Sequence, residues 1–493
     1  MVFCGKPSKA CQRCRDRRLR CDLRSDSCGQ CIRAGVACTG YRDTLQLRVR
    51  DESQAVQKKA LLGKGVYSEP RSLTLSLESQ ARDVFFIYHV TEFSKTWDFL
   101  RPYYNPAGSP EHLTLSIDAV SLAYFSHQVC SDAALATARK KYILALNMTK
   151  KALQSPEVAV KDSTLLVSLL LDLFEKVIND KSRHSEAWKS HMKGALALIK
   201  LRGLRQCQGL STLRLLARFS TNFLISCVAT ETRVPNEVNA LRAYIGEHLE
   251  VEGPKWLLSD LMVDFANLRG DIRNGQLSPY NRTKMSVELD AKFQELTFSI
   301  PSWQYKTTTV DYDSKMIYGH HFDSYANRHV TQTWNVCRIA RILLNEYILE
   351  CCSEPGANAM TNAFALMRTA KDNIETLARD ICASVPQYVD CFGAAQNKLP
   401  ISEPTNNIFR GTEHLHSPSQ NLDCYTLIFP LYVAGRSSSS PSTLKPWAIE
   451  QLCHIGSHFG IRNAELVRQE LGKETNISPW AVYAMLGGYA FAT

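Results

Sequence analysis

Six cysteines near the start of this chain constrain its folding more than any other feature of the sequence. They lie in the stretch CQRCRDRRLRCDLRSDSCGQCIRAGVAC, residues 11–38, and are Cys11, Cys14, Cys21, Cys28, Cys31 and Cys38. The first three are separated by two and then six residues, and the last three repeat that spacing, so the segment is an internal duplication. Because about 30 residues cannot fold on apolar burial alone, cross-links must hold this segment together.

Disulfide bonds and metal ions are the two kinds of cross-link that cysteines provide. The opening residues MVFCGKPSK lack the apolar stretch of a secretory signal, so we expect the chain inside the cell, where disulfides rarely persist. Thiolates two residues apart can reach one ion at roughly 2.3 Å, as tetrahedral zinc requires. The spacing therefore favours zinc over a disulfide framework.

The number of cysteines also predicts how the metal is shared. Two tetrahedral ions need eight ligand positions, and six thiolates fill them only if two sulfurs bridge the ions. The duplication makes Cys11 and Cys28 the expected bridging pair. We thus predict two zinc ions per chain, one held by Cys11, Cys14, Cys21 and Cys28 and the other by Cys11, Cys28, Cys31 and Cys38. Cys4 lies outside the pattern and is predicted to be a free thiol.

The positive charge of the chain is concentrated in the same region. Residues 1–50 contain twelve Lys or Arg and four Asp or Glu, so they carry +8 of the net charge of +10. Such a local field suits a polyanion better than a small acidic metabolite. Modules that bind single-stranded RNA usually stack bases on aromatic side chains, and residues 9–38 contain no Phe, Tyr or Trp. We therefore expect double-stranded DNA as the partner.

The sequence CQRCRDRRLRC followed by CGQCIRAGVAC resembles the DNA-binding module of the fungal binuclear zinc-cluster transcription factors. The resemblance implies a small zinc-stabilised module at residues 9–40 that binds a CGG triplet in the major groove. Each cysteine pair is expected to begin a short helix. The first helix would carry Arg15, Arg17 and Arg18, and the second would carry Arg33 and end at Gly35. The loop DLRSDS lacks the proline that the family often has there.

The resemblance also divides the basic residues by role. Arg18 occupies the position that a base-reading lysine usually holds in the family, so it is expected to read sequence. The remaining basic residues around the cluster are expected to contact phosphates, which fix register without distinguishing bases. These residues are Lys9, Arg13, Arg15, Arg17 and Arg20.

Residues 41–72 are mixed in charge and are predicted to be a linker. The apolar residues Leu45, Val49, Val56 and Ala60 do not sustain a heptad repeat, so we do not expect a long coiled coil. Any homodimer should instead form through the domain that follows.

Residues 73–493 are predicted to form a mostly α-helical domain, and the resemblance given below implies an all-α regulatory domain. Four segments have apolar residues three or four apart over ten or more positions: SLESQARDVFFIYHVTEF, ARKKYILALNMTKKALQ, STLLVSLLLDLFEKVIN and TQTWNVCRIARILLNEYILECC. The phrases WKSHMKGALALIKLRG, DICASVP and FPLYVAG resemble the fungal-specific regulatory domain that accompanies this zinc cluster. The longest apolar run, residues 165–174, is too short to span a bilayer, and no membrane partner is expected.

Several histidines outside the cysteine cluster are candidates for catalytic or metal-binding groups. His454 and His458 have the i, i+4 spacing of two zinc ligands, but no HExxH arrangement accompanies them, and His320 and His321 lie near Asp323. We expect structural roles for all four. His191 is expected to form a hydrogen bond at a helix contact rather than to sense a ligand. The sequence thus predicts no catalytic residues and no enzyme.

Together these features predict a nuclear, sequence-specific DNA-binding regulator of RNA polymerase II promoters. The resemblance implies contacts with the transcription machinery or co-regulators, and a target set of biosynthetic or nutrient-use genes. The alternative is a zinc-dependent adaptor that docks protein or RNA without sequence-specific DNA binding.

Overall fold

The computed structural model describes residues 8–43, 75–178, 186–249, 253–298, 303–312, 314–353, 362–390, 418–474 and 477–486. The chain divides after Thr74 into two compact units, an N-terminal module and a body. Most of the predicted linker, with its four apolar residues, lies outside the described residues, and so does Cys4.

The N-terminal module contains two short helices, α1 (Gln12–Asp16) and α2 (Gly29–Arg33), which contact each other. Cys11 immediately precedes α1, and Cys28 immediately precedes α2. The core of the module consists of Ala10 and the buried cysteines rather than of large apolar side chains. The small helical module expected from the duplicated cysteine pairs is therefore confirmed.

The body is mostly α-helical, also as predicted. Its α-helices are α3 (Leu77–Phe85), α4 (Glu111–Gln128), α5 (Asp132–Ala152), α6 (Pro156–Ala159), α7 (Asp162–Ile178), α8 (Glu186–Arg202), α9 (Leu210–Thr230), α10 (Asn236–His248), α11 (Pro254–Arg273), α12 (Pro279–Phe298), α13 (Arg328–Ser353), α14 (Ala363–Ala383), α15 (Pro386–Val389), α16 (Pro418–Tyr425), α17 (Ile428–Arg436), α18 (Leu444–His458), α19 (Arg462–Gly472) and α20 (Pro479–Met485). A π-helix follows α3 at Phe86–Thr91, and short 3₁₀ helices lie at Asp98–Tyr103 and Leu204–Gln206.

Consecutive helices of the body pack against each other in pairs. Helix α4 packs against α5 and α7, α13 packs against α12 and α14, and α18 packs against α19. The strands β1 (Lys306–Thr309) and β2 (His321–Ser324) form an antiparallel hairpin in which Lys306 is opposite Ser324. Among the described residues, no helix combines the length and apolar content that crossing a membrane requires.

The apolar runs singled out in the sequence form the core of the body. In α7, Leu165, Leu166, Leu169 and Leu170 are buried, and Asp172 within the same run pairs with the Lys176 ammonium at 2.8 Å. The phrase FPLYVAG lies in α17 and is buried throughout. A Cβ on Gly435 would lie 3.0 Å from a Leu471 methyl and 3.2 Å from Ala448, so this glycine lets α17 approach its neighbours closely.

Three of the histidines considered in the sequence lie at contacts within the body. His191 Nε2 lies 3.1 Å from the Tyr142 hydroxyl, which confirms the expected hydrogen bond at a helix contact. His454 stacks on His458 with ring centres 4.7 Å apart and also lies 3.3 Å from the Val389 carbonyl oxygen. Within the described part of the chain, neither histidine of this pair belongs to a cluster that could hold a metal ion.

Candidate metal centre and nucleic-acid interface

The six cysteines of the module meet as two overlapping groups of four. In each group all four sulfurs lie within 4.8 Å of one another. The groups are Cys11, Cys14, Cys21 and Cys28, and Cys11, Cys28, Cys31 and Cys38. They share Cys11 and Cys28, the two cysteines that the duplication singles out as bridging ligands. Both shared residues directly precede a helix, so the local fold brings the repeated positions together.

The spacing of the sulfurs fits tetrahedral zinc. An ion with Zn–S bonds of about 2.3 Å separates its thiolates by about 3.8 Å along each edge of the tetrahedron. The Cys11 sulfur lies 3.7 Å from that of Cys28 and 3.8 Å from that of Cys31, and the Cys14 and Cys28 sulfurs are 3.7 Å apart. These distances also exceed the roughly 2.0 Å of a disulfide bond. The donor set and its spacing thus suit two zinc ions that share ligands.

Burial and the neighbouring sulfurs shift the pKa values of the clustered thiols in different directions. Burial raises the pKa of Cys14, and the thiols of Cys11 and Cys28 raise it further. For Cys31 the same two causes raise the pKa to about 12. Burial also disfavours the Cys28 thiolate, but the backbone N–H of Cys31 and the neighbouring thiols outweigh it and lower the pKa to about 6. A divalent ion deprotonates the thiols that bind it, so zinc would hold all six groups as thiolates.

The internal duplication extends to the way in which the two helices end. After α2, Gly35 adopts a left-handed conformation with φ of 63°, its N–H donates to the Ile32 carbonyl, and the Val36 N–H donates to Cys31. After α1, Arg18 adopts φ of 52° and its N–H donates to Arg15, while the Leu19 N–H donates to the Cys14 carbonyl. This pair of bonds is the Schellman motif, in which glycine usually holds the left-handed position.

The sequence-based placement of two arginines is therefore wrong. Helix α1 ends at Asp16, Arg17 is its C-cap, and Arg18 lies beyond the helix in the left-handed turn. Arginine has a high helix propensity and no glycine marks the end of this helix, which is why the sequence suggested continuation. A non-glycine residue in this conformation costs about 1 kcal/mol or more. Arg18 thus occupies the strained position that the second half of the repeat fills with Gly35.

Two of the predicted DNA-contacting arginines donate hydrogen bonds within the module. Arg13 Nη1 donates to the Gln30 carbonyl oxygen at 3.0 Å and so links α1 to α2. Arg15 Nη1 donates to the Ala10 carbonyl oxygen at 2.7 Å. Both side chains are half-buried. These bonds give Arg13 and Arg15 a part in holding the cluster together that the sequence did not indicate.

The other four predicted DNA-contacting residues are exposed. They are Lys9, Arg17, Arg18 and Arg20. Within the described residues, none of their side chains makes a hydrogen bond or an ion pair. Their charges are therefore available to a polyanion.

The loop between the third and fourth cysteines is held without a proline. Asp22 Oδ1 accepts a hydrogen bond from the Gly29 N–H at 2.9 Å, at the start of α2, and the Tyr41 hydroxyl donates to the Arg24 carbonyl. A Cβ on Gly29 would lie 2.6 Å from Asp22 Oδ2, so this close approach favours glycine. The sequence does not indicate these partners, because Asp22 lies seven residues before Gly29 and outside the N-cap position of α2.

Comparison with known proteins identifies two regions of the chain. The fungal Zn(2)-Cys(6) binuclear cluster domain matches residues 9–48, and the fungal specific transcription factor domain matches residues 85–231. Both matches bear out the sequence resemblances. Neither family is an enzyme family. No curated protein and no solved structure matches the chain.

Proposed function

We propose that this chain, a member of the fungal binuclear zinc-cluster transcription factor family, reads CGG-type DNA sites through residues 9–40. Its domains make it a zinc-binding, DNA-binding transcription regulator. Our proposal adds two zinc ions per chain, held by the two overlapping cysteine groups, and action at RNA polymerase II promoters in the nucleus. The target genes would serve biosynthesis or nutrient use, as the family resemblance implies.

The observation that carries the proposal is the strained conformation of Arg18. At this position arginine costs free energy that glycine would not, and the repeat itself has glycine, Gly35, at the equivalent site. Strain of this kind is a reason to look for a functional role of the side chain. An exposed guanidinium can donate two hydrogen bonds to O6 and N7 of one guanine. We therefore give Arg18 the base-reading role and give phosphate contacts to Lys9, Arg17 and Arg20.

The half-buried arginines take a different part in this proposal. Arg13 donates one internal hydrogen bond, Arg15 donates two, to the Ala10 carbonyl oxygen and to Gln12 Oε1, and a guanidinium has five N–H donors. Each can contact a phosphate with its remaining donors while it holds the module together. Their replacement would weaken both DNA binding and the module, so they are poor probes of DNA contact.

Replacing Arg18 with glycine tests the base-reading role without damage to the fold. Because glycine relieves the left-handed strain, Arg18→Gly should leave the resistance of the module to zinc chelators unchanged or raise it. It should cost about 1–3 kcal/mol on a CGG duplex and much less on a scrambled duplex. The measurement is binding of the full chain to both duplexes at several salt concentrations.

Arg20→Ala is the matched control for this experiment. Arg20 is an exposed arginine two residues away, and a phosphate contact should weaken both duplexes alike and reduce the salt slope by about one. Equal losses on the two duplexes for Arg18→Gly would refute the base-reading role.

The helical body is the part of the chain to which we assign protein partners. We infer that co-regulators or the transcription machinery contact this helical unit, and that any homodimer forms through it. The alternative function, an adaptor that docks protein or RNA, requires no sequence preference on DNA.

The experiment with two duplexes distinguishes this alternative from a sequence-specific regulator, because an adaptor would bind the CGG and scrambled duplexes equally.

A further inference from the structure

A cavity of about 550 Å³ lies in the body, where α9, α11 and α13 meet beside Trp480 and the segment 94–99. Cavities of small-molecule sites have volumes of roughly 300–1,000 Å³. The residues of α11 and α13 that line it lie outside both regions matched by the family models. All of its lining residues belong to the body, whereas the cysteine cluster belongs to the N-terminal module.

Most of the cavity wall is apolar. Its apolar lining includes Leu224, Val228, Leu258, Met262, Val336 and the Trp480 side chain. Trp256 adds an aromatic face, and the Arg242 guanidinium lies 4.4 Å from the centre of its ring. Such a wall suits a ligand with an aromatic or aliphatic body, because its burial would supply most of the binding free energy.

The charged groups that line the cavity are mostly cations. Lys95, Arg214, Arg218 and Lys255 contribute positive charge, and Asp98 is the sole carboxylate in the lining as the structure describes it. Arg218 lies deep in the wall, with its guanidinium 5.6 Å from the centre of the Trp97 ring. Lys95 and Arg214 are exposed. The cavity thus joins an apolar interior to an excess of positive charge.

Lys255 is a cation of the cavity wall in a position that is unfavourable for a positive charge. Its side chain is half-buried, and within the described part of the chain it makes no hydrogen bond or ion pair. It lies in the first turn of α11, where the helix dipole favours acidic side chains rather than cations. Burial lowers its pKa, and the charges of Arg328 and Arg218 lower it further.

His329 adds a second polar group without a partner. Its Nδ1 is buried and forms no hydrogen bond within the described residues. Burial, together with the charges of Lys255 and Arg328, lowers its pKa to about 4, so the ring is neutral at pH 7. A neutral imidazole can donate a hydrogen bond to an anion beside Lys255.

We propose that this cavity binds a small organic acid, with its carboxylate beside Lys255 and His329 and its apolar body against Trp256, Met262 and Val336. The bound anion would offset the excess of positive charge that the folded body concentrates there. Lys255 would form the principal ion pair, and Arg214 at the rim would contribute to attraction of the ligand. The proposal does not depend on DNA binding.

The test compares two probes that share one apolar body. The full chain with zinc is titrated calorimetrically with 2-naphthoate and with the neutral alcohol 2-naphthalenemethanol. We expect one naphthoate per chain and an affinity for the alcohol at least tenfold lower. Lys255→Met should weaken naphthoate binding about tenfold and change alcohol binding by less than about twofold, because methionine keeps the apolar stem and removes the charge.

Lys284→Met is the matched control, because Lys284 is an exposed lysine of α12 that does not line the cavity. This variant should bind both probes with the same affinity as the original chain. Lys255→Met should unfold at no lower temperature than the original chain without ligand, since it removes an unpaired, half-buried charge. Arg214→Met provides a second variant at the exposed rim. Three results would each overturn the proposal: no naphthoate binding at millimolar concentration, equal affinity for acid and alcohol, or unchanged naphthoate binding in both cavity variants.

Discussion

Cys11→Ala should reduce the zinc content of the full chain from two ions to none. Cys11 belongs to both groups of four sulfurs, so its loss leaves each ion with three ligands. Within residues 8–43, the described part of the module, the buried core consists of Ala10 and cysteines, so no cluster of large apolar side chains would hold it together without metal. A structural zinc contributes on the order of 10 kcal/mol or more to folding, so the module should unfold when both sites fail. Native mass spectrometry at buffered nanomolar free zinc measures the stoichiometry directly.

Two further variants make this experiment specific to shared ligands. Cys14 belongs to one group only, so Cys14→Ala leaves Cys11, Cys28, Cys31 and Cys38 intact and should retain one ion. Cys130→Ala removes an exposed thiol of the body and should retain both. One zinc in the original chain, or one remaining in Cys11→Ala, would contradict the shared-sulfur arrangement.

Arg338→Met should destabilise the body by about 3–5 kcal/mol. The Arg338 side chain is 3% exposed and donates from Nη1 to the Tyr325 hydroxyl at 2.8 Å and to Asn335 Oδ1 at 3.0 Å. It also lies 3.8 Å from Asp323 Oδ2 and 4.0 Å from Asp380 Oδ2. Methionine would leave both carboxylates without this cation, Asp323 in a buried environment and Asp380 in a partly exposed one.

The neighbouring variant Arg379→Met is the control, because Arg379 forms an exposed pair with Glu375 on the surface of α14 and should cost no more than about 1 kcal/mol. Urea denaturation of the two variants gives the difference in the free energy of unfolding. A loss below about 1 kcal/mol for Arg338→Met would mean that Asp323 and Asp380 do not depend on this cation.

The loss of stability in Arg338→Met should depend on pH. Burial raises the pKa of Asp380, and the Arg338 charge acts against that rise. Removal of Arg338 should therefore raise this pKa further above its unfolded value. A carboxyl group whose pKa is higher in the folded state than in the unfolded state destabilises the folded protein at a pH above both values. At a pH below both values the group is protonated in either state and has no such effect. The deficit of Arg338→Met should thus shrink as the pH falls toward about 4.

The grouping of the six cysteines could be predicted from the sequence better than the surface around them. Duplicated spacing is a local property, so counting ligand positions was enough to single out Cys11 and Cys28 as the shared pair. The end of α1 was missed because its left-handed residue is arginine, whereas Gly35 correctly marked the end of α2. The bonds of Arg13 to Gln30 and of Tyr41 to Arg24 join residues 17 apart, which no local pattern reveals.

In the body, too, local features could be predicted from the sequence, whereas features that depend on tertiary packing could not. Periodic apolar residues predicted helices such as α7 and α13, because burial of one face leaves a regular trace in the sequence. No comparable sequence pattern indicates the cavity. Its cations come from separate elements, with Arg214 on α9 and Lys255 on α11, and only the packing of these helices brings the two residues to one space.

Selection of duplexes from a random DNA pool by the full chain, with and without zinc, tests the central claim most directly. The account predicts enrichment of CGG-containing sites when zinc is present, and loss of that enrichment when a chelator removes the metal, because the module that presents Arg18 is folded by its zinc ions. Enrichment that persists without zinc, or zinc-loaded protein that enriches no sequence, would contradict it.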